Sequence, residues 1–202
     1  MNIISYYTDE RYQHLYESRL KRSVEGLGYT IHGAYKPQFY SWPAAIKFKP
    51  TYVLQMYQKL GGPLLYLDAD CELKKDLDEL KEWLETHDLM LRKRDLEDKY
   101  NCGVMAFGSN ADKILPLLTT WNKITSKQAY DSITIDQKPL EQALEQHKEI
   151  VIGELSYNYN FLLSDREVHD RKLATILHHK ESKQNDKAKV WRKKFLRDRG
   201  LL

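Results

Sequence analysis

The sequence predicts an α/β fold: one domain built on a mixed, mostly parallel central sheet flanked by helices. Three observations carry that prediction. Short apolar runs alternate along the chain with longer segments of helical period. The run Pro63-Leu64-Leu65-Tyr66-Leu67 reads as a buried strand ending in Asp68-Ala69-Asp70, and open α/β sheets bind ligands beyond the carboxyl ends of their strands. With 202 residues and 42% hydrophobic content, the chain is long enough for one sizeable core.

Residues 2–7 read as the first strand. A helix follows over 9–27, with Leu15, Leu20 and Val24 on one side and Gly26 or Gly28 as its stop. A second strand is expected near 29–35, then a loop from Pro37 to Pro43. Residues 44–60 are helical with an interruption at Pro50, and Gly61-Gly62-Pro63 turns them into the strand 64–67. Asp76-Leu77-Asp78 repeats the Asp-x-Asp pattern, but Leu77, Leu80, Trp83 and Leu84 fall behind it at helical spacing. Its acids are therefore first-turn residues favoured by the helix dipole. Residues 88–92 and 100–107 read as strands, and 111–123 as a helix carrying Ile114, Leu117, Leu118 and Trp121. A further helix is expected over 136–147 and a late strand over 150–152. There is no internal repeat and no low-complexity linker.

The net charge of +3 is near balance, so overall charge does not make the chain a polyanion binder. Cys71 and Cys102 make neither a C-x-x-C motif nor a disulfide framework, which suits a reducing compartment. The N-terminus lacks a secretory signal, and no apolar run approaches the ~18 residues of a membrane span. A cytoplasmic, soluble protein is the expectation. Residues 180–202 differ in character. There Trp191 and Phe195 are interleaved with Lys189, Arg192, Lys193, Lys194 and Arg197. The division expected is a catalytic domain over 1–179 and a basic helical tail over 180–202. That tail either docks its apolar stripe on the body or meets an anionic partner such as a lipid surface, a nucleic acid or an acidic acceptor.

Two carboxylates one residue apart repel unless a cation sits with them. Hard divalent ions such as Mn2+ or Mg2+ take oxygen ligands and keep positions for a diphosphate. Asp68 and Asp70 therefore point to a metal-diphosphate site.

Several segments, in order, resemble the GT-A class of nucleotide-sugar glycosyltransferases, especially its retaining glycogenin-like and lipopolysaccharide galactosyltransferase-like branches. Lys47-Phe48-Lys49-Pro50 followed by Leu64 to Asp70 is similar to the Lys-containing helix and Asp-x-Asp strand of that family. Asn101-Cys102-Gly103 is similar to its Asn-x-Gly segment, and Asp136-Gln137 to its Asp-Gln pair. Tyr157-Asn158-Tyr159-Asn160-Phe161 and Ile176-Leu177-His178-His179 are similar to its late Tyr-Asn element and metal-ligand histidine. The likeness spans residues 2–183. Two places depart from the pattern: Lys138 stands where a third acid is common, and Lys180-Glu181-Ser182-Lys183 where the family carries Gly-x-x-Lys-Pro-Trp.

The resemblance implies transfer of a sugar from a nucleoside-diphosphate donor, UDP-linked, with retention. Asp70 and His178 would ligate Mn2+ or Mg2+, with His179 the alternative histidine, and Asp68 would ligate the ion or bind the ribose. Tyr6, Tyr7, Thr8, Lys49, Asn101, Gly103 and Lys183 would contact the donor, with Asn101 on its hydroxyls and Gly103 leaving room for the sugar. Asp136 would accept a sugar hydroxyl and Gln137 would lie near the anomeric carbon. Ordinary structural roles compete at several of these positions: packing for the tyrosines, a helix surface for Lys49, a helix cap for Asp136. The acceptor is open among a saccharide, a glycolipid, a protein and a nucleic acid.

Two other classes compete. Haloacid-dehalogenase-like phosphohydrolases also place Asp-x-Asp after an apolar strand, with the first Asp as nucleophile. They usually carry Thr or Val next but one after the second Asp, where Glu72 stands here. The third class is a non-enzymatic basic module for nucleic acid or membrane.

Overall fold

The computed structural model describes residues 1–36, 42–94, 99–128, 136–162 and 170–179. The expected tail with Lys183, and most of the 37–43 loop, lie outside these residues. In chain order the elements begin β1 (Asn2–Tyr7), α1 (Glu10–Leu15), a π-helical segment (Tyr16–Lys21), α2 (Arg22–Gly26), β2 (Ile31–Tyr35), α3 (Trp42–Lys47) and α4 (Lys49–Leu60). They continue β3 (Leu64–Leu67), β4 (Cys71–Leu73), α5 (Asp78–Thr86), β5 (Leu89–Arg94), β6 (Lys99–Phe107), α6 (Ala111–Lys127) and α7 (Gln137–Gln146). The last are β7 (Ile152–Glu154), β8 (Phe161–Leu162) and β9 (Ile176–His178), with short 3-10 turns at Tyr157–Asn160 and Arg171–Leu173.

Six strands form the central sheet in the order β2-β1-β3-β6-β5-β7. β1 runs parallel to β2 and to β3, and β5 runs parallel to β7. Only β6 is reversed, antiparallel to both of its neighbours. Because β1 receives β2 on one side and β3 on the other, the chain leaves the carboxyl ends of β1 and β3 in opposite senses. That is the topological switch point at which such sheets open a crevice.

Strand alternation divides the core between the sheet's two faces. Ile4, Tyr6, Leu64, Tyr66, Met105 and Phe107 pack against α4, α6 and α7 on one face, with Trp121 at the centre. Ile3, Leu65, Leu67, Val104 and Ala106 face α2, α5 and the π-helical segment on the other. Each fully buried aliphatic side chain is worth roughly 1.5–3 kcal/mol, so this two-sided burial holds the strand ends that carry the chemistry.

Local chemistry accounts for the element boundaries. The carboxylate of Asp9 caps α1 by accepting from the Tyr12 N–H at 2.8 Å. The helix expected over 9–27 forms, but its middle turn is π-wound. Tyr16, at the start of that turn, lies over Gly33 of β2, where a Cβ would come within 2.1 Å of the phenol oxygen. Pro50 sits in the first turn of α4, where a missing N–H leaves nothing unpaired, and the break falls at Phe48 instead. Of the second Asp-x-Asp, Asp78 stands in the first turn of α5 as expected, whereas Asp76 lies ahead of the helix and accepts from the Asp78 N–H at 3.3 Å. The late strand begins two residues beyond its expected start, at Ile152, while Ile150 is buried ahead of it.

A second, three-stranded sheet, β4-β9-β8, was not expected from sequence. The chain leaves β3 through a tight turn, closed by the Cys71 N–H on the Asp68 carbonyl at 2.9 Å, and enters β4. β9 pairs antiparallel with β4 and aligns Cys71 with His178. The Asp-x-Asp pair thus lies at the junction of the two sheets.

Candidate active site

β3 ends at Leu67, paired with Val104 of β6, and the next N–H, that of Asp68, donates to the Gly103 carbonyl at 2.9 Å. On its other side β6 breaks register with β5: Leu91 faces Met105, but Arg92 faces Asn101. The surplus residues of β6 are Cys102, Gly103 and Val104, a bulge that re-aims Asn101 and Gly103 toward Asp68. The Asn101 side-chain oxygen accepts the Gly103 N–H at 2.8 Å, satisfying a donor the bulge leaves without a ladder partner.

That contact starts a chain of forced assignments. A backbone N–H only donates, so the atom of Asn101 facing Gly103 is its oxygen. The same oxygen accepts from the Asn160 amide nitrogen at 3.0 Å, which turns the Asn160 oxygen toward His178 Nδ1 at 3.1 Å. His178 Nδ1 therefore carries the proton and Nε2 presents its far edge to the acids. Nε2 lies 3.2 Å from Asp70 Oδ1 and 3.7 Å from Asp68 Oδ2. A lone pair does not rest stably between two carboxylates; a cation or a proton on Nε2 resolves the contact. All of this is packed closely. A Cβ at position 103 would come within 2.4 Å of the imidazole Cε1 and 3.0 Å of Asp68 Oδ2, so the room at Gly103 is taken by the His178 ring.

A buried ion cluster holds the other side of Asp68. Lys49, only 4% exposed at the start of α4, reaches Asp136 Oδ2 at 2.8 Å, Asp68 Oδ1 at 3.2 Å and the Cys102 carbonyl at 3.1 Å. Burial alone would lower the Lys49 ammonium, but Asp136 and Asp68 raise it well above its ordinary range. The Tyr66 hydroxyl also donates to Asp68 Oδ1, at 2.7 Å. One oxygen of Asp68 is thus committed to Lys49 and Tyr66 while the other faces His178. Burial pushes the Asp68 carboxyl above its ordinary value and the Asp70 charge adds to this, with Lys49 and His178 pulling the other way. Asp136 occupies the N-cap position of α7, but its carboxylate is spent on Lys49 and not on the cap. Its carbonyl accepts from the Trp121 indole at 2.9 Å, which anchors the entry to α7.

Lys49, Asp68, Asp70, Asn101, Gly103, Asp136 and His178 are therefore brought together. Gln137 follows as the first residue of α7, half-buried. Lys49 is not on a helix surface. Tyr6 abuts the cluster through its ring, which packs on Tyr66, while its hydroxyl donates to the Ala45 carbonyl at 2.7 Å. Tyr7 turns to the other side of β1, stacked between Tyr16 at 4.7 Å and Tyr35 at 5.6 Å. Thr8 is half-buried just beyond it. His178 faces the acids, whereas His179 sends its ring to Glu72 at 3.2 Å and donates its backbone N–H to the Asp70 carbonyl.

Sequence reasoning assigns no role to Asn160, Tyr66 or Cys71. Asn160 is fully buried, and Arg92 donates to its carbonyl. Cys71 is fully buried, and one donor atom each of Asp70, Cys71 and His178 lie within 4.8 Å of one another. The signal that could have flagged Asn160 is its polarity in an otherwise apolar Tyr-Asn-Phe run.

No family model matches the chain, and no curated protein matches it. Solved structures do. A glycosyltransferase involved in the glycosylation of the major capsid of PBCV-1 aligns with a TM-score of 0.67 at 14% identity, over 93% of this chain and 98% of that one. The glycosyltransferase GlyE of Streptococcus pneumoniae TIGR4 aligns with a TM-score of 0.58 at 17% identity, over 88% of this chain and 53% of its own. The bifunctional glycosyltransferase WbbM aligns with a TM-score of 0.61 at 10% identity, over 89% and 45%. The chain thus spans about half the length of the last two. At these identities the likeness is one of fold: the chain has the mixed α/β architecture of the GT-A glycosyltransferases.

Proposed function

We propose that the protein is a metal-dependent glycosyltransferase that moves a sugar from a nucleoside-diphosphate donor, UDP-linked, to an acceptor hydroxyl with retention of configuration. The observation that carries this reading is the aim of His178 Nε2. A relay that begins at a backbone N–H directs that nitrogen between Asp68 and Asp70, at the carboxyl end of β3, on a fold shared with solved glycosyltransferases.

The donor set fits a divalent ion. Asp70 Oδ1, Asp68 Oδ2 and His178 Nε2 offer two oxygens and a nitrogen, and imidazole beside carboxylates favours Mn2+ over Mg2+. When bound, such an ion supplies Lewis-acid neutralisation of the leaving diphosphate. Asn160 keeps the His178 tautomer fit for ligation, and Gly103 admits the ring. Lys49 fixes Asp136 and Asp68 relative to each other, so a donor hydroxyl would meet a pre-oriented Asp136 carboxylate with no reorganisation. Gln137, an amide, neither deprotonates an acceptor well nor forms a stable glycosyl ester. Retention then follows from same-face attack: the bond from anomeric carbon to diphosphate oxygen breaks, the acceptor oxygen bonds to that carbon, and the acceptor proton passes to the departing diphosphate. Tyr7 and Tyr35 at the ends of β1 and β2 form an aromatic shelf suited to a base, with Tyr35 48% exposed and Thr8 next in the chain. The tail at 180–202 with Lys183 is left for the diphosphate or an anionic surface, and the acceptor class stays a saccharide, glycolipid, protein or nucleic acid. Among the described residues, no helix is long and apolar enough to cross a membrane.

The test is isothermal titration of UDP with and without Mn2+ into the native protein and Asp70→Ala. UDP is expected to bind the native protein only with Mn2+, and Asp70→Ala is expected to lose that binding while keeping its circular dichroism. Mn2+-dependent UDP affinity unchanged in Asp70→Ala overturns the proposal.

A further inference from the structure

A further donor stands beside Asp70 and His178 at this centre. Cys71 opens β4 directly after Asp70, and its register partner on β9 is His178. Partners in an antiparallel ladder project to the same face, so thiol and imidazole are neighbours by construction. The Cys71 sulfur, the nitrogen of His178 and an oxygen of Asp70 lie within 4.8 Å of one another, and all three residues are buried. The thiol makes a long contact of 3.9 Å to the Gly103 carbonyl, and S–H is a weak donor that yields this bond at little cost.

We propose that Cys71 is a sulfur ligand of this centre and makes it selective for a borderline-soft divalent ion, Zn2+ ahead of Mn2+ or Mg2+. The inference rests on the metal reading above and adds the donor that sets which ion is held. Carboxylate oxygen and imidazole nitrogen already hold Zn2+ more tightly than Mn2+, and sulfur widens that gap because it adds strength toward the softer ion. The Asp70 oxygen, the Cys71 sulfur and the His178 nitrogen form a three-residue set of the kind that holds Zn2+, with the fourth position left to Asp68 or to a bound ligand. Ligation exchanges the S–H bond for a metal–sulfur bond, and the proton leaves to solvent.

The experiment titrates Cd2+, as a spectroscopic stand-in for Zn2+, into the native protein, Cys71→Ser and Cys102→Ser, and follows the sulfur-to-metal charge-transfer absorption in the ultraviolet. Mn2+ binding is followed in parallel by the paramagnetic signal of the free ion. A band that saturates at one equivalent of Cd2+ in the native protein and in Cys102→Ser, and is missing in Cys71→Ser, is the expected result. Zn2+ affinity should fall in Cys71→Ser by more than the roughly 10- to 100-fold that loss of an outer-shell partner costs, with Mn2+ affinity nearly unchanged. The chain has only two cysteines, so persistence of the band in Cys102→Ser assigns it to Cys71 even where Cys71→Ser does not fold. No band in the native protein while Mn2+ still binds overturns the sulfur ligand and leaves the glycosyltransferase reading intact. Failure of every ion to bind overturns both.

Discussion

At the scale of single residues, the molecule spends buried polar groups to hold others in place. Lys49 is the clearest case, because it neutralises two carboxylates on segments far apart in sequence. Removing one partner from a buried pair leaves an uncompensated charge. Lys49→Met is therefore expected to lose about 3–5 kcal/mol in urea unfolding, and adding Asp136→Asn should restore part of it; a loss below about 1 kcal/mol, the range of exposed ion pairs, would show that the cluster is not structural. The Asp68-Ala69-Asp70 pair was conspicuous in the sequence as acids at a strand end, whereas His178 stood out there only through its likeness to a family motif; the structure places the three side by side. Asn160 and Cys71 were not legible. The role of Asn160 depends on a bulge in β6, and that of Cys71 on a register across the second sheet; neither leaves a local pattern.

At the scale of elements, the alternation of strand and helix was readable wherever an apolar period ran for four residues or more. β4, β8 and β9 are two or three residues long, too short for a period of two to register. The π-wound turn was equally hidden, since a π insertion keeps the overall helical pattern and only shifts which residue faces inward. Its consequence is visible at Gly33, whose Cα lies against the Tyr16 ring. Gly33→Ala is expected to destabilise by roughly 1–3 kcal/mol through overpacking. Gly26→Ala, at the end of α2 with open space around it, should instead stabilise by roughly 0.4–1 kcal/mol. Equilibrium urea unfolding of both variants checks the pair, and equal effects would show that the Tyr16 contact is not tight.

At the scale of the whole molecule, the fold class followed from composition and alternation, but the reversal of β6 and the existence of a second sheet did not. Strand order is set by long-range pairing, which a single sequence does not display. The two sheets meet at the candidate centre, so ligands there should brace the entire fold. Native-state binding at a hundredfold excess over Kd adds about 2.7 kcal/mol, and for a chain of this size 1 kcal/mol moves Tm by about 2–4 °C. Mn2+ with UDP should therefore raise Tm by roughly 5–10 °C in differential scanning calorimetry, with EDTA reversing the rise; no change at saturating ligand would count against the site. The pairing of β4 with β9 carries one more implication. During synthesis both acids leave the ribosome long before the imidazole that faces them, so on the metal reading proposed above a nascent chain would have no complete donor set, and ion capture would be a late step of biogenesis.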